Sequence, residues 1–202
     1  MIYSHRFLVI ATGVVTLAAG TSCANGGPNG SPNTDPVPTA STPVSTKTAD
    51  TDAASEAATD TVRRYFGVLD DLRQDGREPL DTLHSVATST QLTVQKRLLE
   101  NERAKKLRQV GDSELPDVKV ESVNLDNSDP EAGKVPTVVV DVCWDVSDAD
   151  LVNASGKSVV SPDRVDMGWT RYTVANYDYQ TDPVTGWRVA SGKDLQQPPC
   201  DG

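Results

Sequence analysis

The chain has 202 residues, 24% of them charged, with a net charge of −10 and a pI near 4.6. That sign opposes nucleic-acid phosphates and anionic headgroups, whose binding needs clustered Lys and Arg, so no nucleic-acid partner is expected. The only histidines are His5 and His84, so a His-rich zinc site lacks ligands and a His-based triad has little to draw on.

Arg6 and the amino terminus precede residues 7–20, which carry no charge. This run fits a signal-peptide core, whereas a membrane-spanning helix needs about 20 apolar residues. It ends in Leu17-Ala18-Ala19-Gly20-Thr21-Ser22-Cys23. Small residues before a cysteine resemble the lipobox of bacterial lipoproteins, with Gly20 standing where Leu is common. The resemblance implies cleavage before Cys23, a diacylglycerol on its sulfur, and a membrane anchor at the extracytoplasmic face. Each buried CH₂ of an acyl chain contributes about 0.8 kcal/mol, and more than one chain makes the anchor stable. Cleavage nearer Ala18-Ala19-Gly20 would instead give a secreted protein with Cys23 unmodified. Either route exports the chain, and removing residues 1–22 takes away Arg6 and no acid, so the charge moves from −10 to −11.

With Cys23 acylated, Cys143 and Cys200 remain, an even pair in an oxidising compartment. A bridge between them would contribute about 4 kcal/mol in the chain-entropy model and pin a tail without periodicity. The alternative is two free thiols, one of them catalytic, and no His lies near either in sequence.

Residues 23–50 are expected to be a disordered linker. Of the 27 residues 24–50, 19 are Pro, Gly, Ser, Thr or Asn, too few apolar groups to offset the entropy of ordering. From residue 51 a helical period appears: Ala58, Val62, Tyr65, Phe66, Leu69 and Leu72 share one arc, and Gly76 ends the helix near Asp75. Pro79 suits the first turn of a short helix through Leu80, Leu83 and Val86. Ser89 or Thr90 can cap a third helix reaching about Leu107, with Leu92, Leu98 and Leu99 buried.

Beyond Val110 the period becomes 2. Val118, Val120 and Val123 mark a strand with an irregular alternation. Val138, Val140, Val142, Trp144 and Val146 form one face of the strongest strand, and Asp141, Cys143 and Asp145 lie on the other. Short strands are expected around Leu151 and Val159, a long one over residues 166–179, and a last one at Trp187-Arg188-Val189-Ala190. Helices followed by antiparallel strands define an α+β domain over residues 51–202.

Helices first, then a long-stranded meander closing on Gly186-Trp187-Arg188-Val189, resembles the NTF2-like (cystatin-like α+β) fold. That resemblance implies a cone, with about three amino-terminal helices packed on a curved antiparallel sheet of four to six strands. Cys143-Trp144-Asp145-Val146-Ser147, Asn153-Ala154-Ser155-Gly156, Ser161-Pro162-Asp163-Arg164 and Cys200 carry a further resemblance to small exported lipoproteins of actinobacteria and their phages.

NTF2-like enzymes place a carboxylate inside the cone, and an apolar wall raises its pKa. Asp141 and Asp145, with Tyr65, His84 and Tyr172 near, are the candidates, but strand period puts both acids opposite the core face. His84 reads as a helix-surface residue. Asp145, Ser147, Asp148 and Asp150 offer oxygens at Ca²⁺-loop spacing yet lack the EF-hand Gly and Glu. The six cations of residues 96–108 spread around a helix and interleave with Glu100 and Glu102 in i,i+4 pairs, as on a solvated surface. Tyr65, Trp144 and Trp169 are the candidate ligand-pocket residues. The expectation is therefore a lipid-anchored, non-catalytic binding protein with no cofactor, taking a small apolar ligand or an envelope protein as partner. A small-molecule hydrolase or isomerase, and a phage superinfection-exclusion lipoprotein, are the alternatives.

Overall fold

A computed structural model describes residues 46–198 and Cys200. The expected signal peptide, the lipidation of Cys23 and the linker up to residue 45 lie outside the described residues.

Helix α1 (Thr46–Gln74) buries Ala54, Ala58, Val62, Tyr65, Leu69 and Leu72 along one stripe. It begins inside the segment assigned to the linker, which moves the boundary back from residue 50. Residues 47–50 are exposed, so no apolar period announces this first turn. After Gln74 the Asp75 carboxylate accepts from the Arg77 N–H at 2.9 Å, and the chain turns. The expected short helix is a 3₁₀ segment, Leu80–Ser85, which buries Leu83. Helix α2 (Ser89–Ala104) follows with Thr88 at its N-cap. Leu99 is buried, but Leu98 is 42% exposed, contrary to expectation. Consecutive helical residues point about 100° apart, and the narrow contact of α2 takes only one of them.

Strand β1 (Arg108–Val110) pairs antiparallel with β4 (Asp150–Val152) in a small separate sheet. The expected strand at Val159 reduces to a turn, in which the Val159 N–H donates to the Leu151 carbonyl at 2.9 Å. The main sheet is antiparallel in the order β2 (Glu114–Asn124), β3 (Thr137–Asp145), β5 (Met167–Asn176), β6 (Trp187–Leu195). The irregular alternation in β2 corresponds to two register shifts against β3.

Val138, Val140 and Val142 of β3, Tyr172 and Val174 of β5, and Trp187 and Val189 of β6 form the core face. They pack with the α1 stripe, Leu83, Val86 and Leu99, each large side chain contributing about 1.5–3 kcal/mol on burial. Cys143 faces the other way and is bonded to Cys200, across a separation of 57 residues. The protein is thus α+β, with amino-terminal helices packed on a four-stranded sheet. No helix among the described residues is long and apolar enough to cross a membrane.

Candidate functional site

At one end of the sheet, where β3 and β6 finish and β5 begins, the second half of α1 faces the strands. A cleft of about 240 Å³ opens there. Helical spacing carries Tyr65, Leu69 and Arg73 down one line of α1, with Phe66 and Asp70 beside them. The sheet supplies Trp144, Thr170, Tyr172 and Asp194, alternate residues of the core face as the pleat requires.

The floor is aromatic. Tyr65, Phe66 and Tyr172 meet edge to face, with ring centroids 5.7 to 6.0 Å apart. Two glycines make room for the sheet's rings. A Cβ on Gly168 would stand 2.7 Å from Trp144 Cζ2, and one on Gly192 would stand 2.8 Å from Tyr172 Cε1. Only hydrogen in those places lets the rings lie flat on the neighbouring strand.

The polar groups of the wall are bonded to one another. Trp144 Nε1 donates to Thr170 Oγ1 at 3.1 Å, and that hydroxyl donates to Asp194 Oδ1 at 2.8 Å. Asp70, 6% exposed, accepts from Gln109 Nε2 at 2.7 Å and from the Ser113 hydroxyl and backbone N–H at 2.9 Å each. Arg73 Nε lies 3.2 Å from Glu102 Oε2, which ties α1 to α2. Buried Gln91 donates to the Tyr65 hydroxyl. Burial, opposed by that hydrogen bond, pushes the Tyr65 phenol up to about 12, and burial likewise raises Tyr172.

Of the three residues expected to line a ligand pocket, Tyr65 and Trp144 are brought together here and Trp169 is not. Trp169 pairs with Cys143, one position from Trp144, and so points to the opposite face of the sheet. There it is 8% exposed, with Lys119 Nζ 4.6 Å from its ring centroid. Asp141 also lies on that face, buried and held by both arms of the Arg171 guanidinium at 2.6 and 2.7 Å. It is an ion-paired residue, not the solvated acid expected. Asp145 accepts from the Ser147 N–H at 2.8 Å, which holds its carboxyl below the usual range. Asp150 accepts from the Ser158 hydroxyl, so both acids serve their own loop. His84 is exposed on the 3₁₀ segment.

The basic run of α2 is more than a solvated surface. Glu102 pairs with Arg73 and Lys96 with Asp81, not with the i,i+4 neighbours expected, and Arg103 donates to the Leu72 carbonyl at 3.1 Å. The cleft's acids, Asp70 and Asp194, were not singled out from sequence. Asp70 borders the apolar arc of α1, which is a usable signal. Asp194 lies beyond Ala190, where the alternation of β6 stops being apolar.

No family model matches the chain, and no curated protein matches it either. Among solved structures, one that is similar is the crystal structure of the intermembrane space region of chloroplast protein ARC6. The identity is 18%, over 70% of this chain and 95% of that one, with a TM-score of 0.48. That likeness is too distant to bear on what this chain does.

Proposed function

We propose that this chain is a lipid-anchored extracytoplasmic binding protein, in which an NTF2-like head takes a small ligand in the aromatic cleft. The observation that carries binding over catalysis is the state of the wall. Asp70 serves Gln109 and Ser113, Asp194 takes the Thr170 hydroxyl, and Arg73 is paired with Glu102. A general base must be free to take a proton at the operating pH; Asp70, with three donors on it, and Arg73 are committed to the fold, and Asp194 is an exposed residue at the rim. Tyr65, with its phenol raised to about 12, stays neutral near pH 7. The mixture of apolar floor and few placed polar groups is that of a ligand site, though below the roughly 300–1,000 Å³ of sites for drug-sized molecules.

Localisation at the membrane rests on the residues around Cys23, and the Cys143–Cys200 bridge supports an oxidising compartment. The three indoles test the binding role. In an NMR titration with small aryl compounds, the indole N–H signal of Trp144 should shift while those of Trp169 and Trp187 stay still. Equal shifts at all three, or none at Trp144 with any compound, would contradict a ligand site in the cleft.

A further inference from the structure

We infer that the ligand of the cleft is an organic ammonium ion, a small amine with an apolar or aryl body. This deepens the binding reading above and rests on it. The wall of the cleft carries negative charge left over. Asp70 is nearly buried, and all three of its hydrogen-bond donors are neutral: an amide, a hydroxyl and a backbone N–H. No cation pairs with it among the described residues, nor with Asp194, whose side chain accepts from the Thr170 hydroxyl. The one cation of the wall, Arg73, is already matched by Glu102. The adjoining hollow around Phe66 adds Arg63 against Asp71 and Asp112 and is net negative too.

A cleft with two uncompensated carboxylates repels anions and leaves a neutral ligand no charge to match. A cation entering it would supply what the wall lacks, with water screening it least from the nearly buried Asp70. The floor favours the same guest. The rings of Phe66, Tyr172 and Trp144 can hold an ammonium head by cation–π attraction, and they bury its apolar body as well. The net charge of −10 draws cations toward the molecule.

Three probes of one size separate the possibilities: 2-phenylethylamine, 2-phenylethanol and phenylacetate, which carry a positive, no and a negative charge at neutral pH. Their affinities are measured on the full chain with the disulfide intact, by calorimetry and by the shift of the Trp144 indole signal. The amine should bind at least about ten-fold more tightly than the alcohol, and phenylacetate least. Asp194 is exposed and makes one hydrogen bond, so Asp194→Asn leaves the fold alone. It should weaken the amine about three-fold and leave the alcohol unchanged. If the alcohol or phenylacetate binds as tightly as the amine, or the substitution does not touch the preference, the charge inference is overturned while the cleft stands as a site. If none of the three moves the Trp144 signal, both are overturned.

Discussion

Tyr65 is where the core and the cleft meet. Its ring packs on Phe66 and Tyr172, while its hydroxyl is buried against Gln91. Gln91→Leu would strand that hydroxyl and should cost about 1–3 kcal/mol in urea unfolding. Adding Tyr65→Phe to it should recover most of the loss, because removing both partners leaves nothing unsatisfied. A double variant no more stable than the single one would contradict this pairing. The phenol also sets an alkaline limit. Unfolded, it loses its proton near pH 10; folded, it holds it to about 12. The stability it contributes is therefore complete below pH 10 and lost as pH rises toward 12. Phenolate absorbance should show Tyr65 and Tyr172 ionising only together with unfolding. Gly192→Ala would drive a methyl against the Tyr172 ring and should cost about 1–3 kcal/mol, read by the same urea series.

At the scale of elements, what was legible was what repeats. The apolar stripe of α1 returns every three or four residues, and its six predicted positions are buried or half-buried. The alternation of β3 told its two faces apart correctly, down to Asp141 and Cys143 on the outer one. Three-residue β1 is too short for a period of 2 to show. Trp169 was misplaced for a subtler reason. Its facing follows from the period of β5 itself, since Trp169 shares parity with Arg171 and Thr173 while Tyr172 and Val174 take the core face, and the size of the indole outweighed that alternation in the reading. The cleft was half legible in the same sense: its aromatic residues could be named, but not the glycines that seat them or the acids at its rim. The disulfide belongs to this scale. It fastens the carboxyl-terminal tail to the outer face, at the residue paired with Trp169. Replacing Cys143 and Cys200 together by Ser should lower stability by about 4 kcal/mol. It should also raise the quenching of Trp169 fluorescence by iodide, and unchanged stability would contradict a role for the bridge in the fold.

At the scale of the whole molecule, an acidic chain carries an α+β domain with Trp187, Leu83 and Val86 in its core and the cleft at one end of its sheet. The oxidised cysteine pair is consistent with an extracytoplasmic location, and the anchor proposed at Cys23 would display the domain beyond a membrane. Mass spectrometry of the amino-terminal peptide, taken from fractionated cells, tests that account most directly. It predicts a chain in the membrane fraction that begins at Cys23 and carries a diacylglycerol on the sulfur. A chain found in the cytosolic fraction with residues 1–22 still attached and the Cys23 thiol unmodified would contradict it.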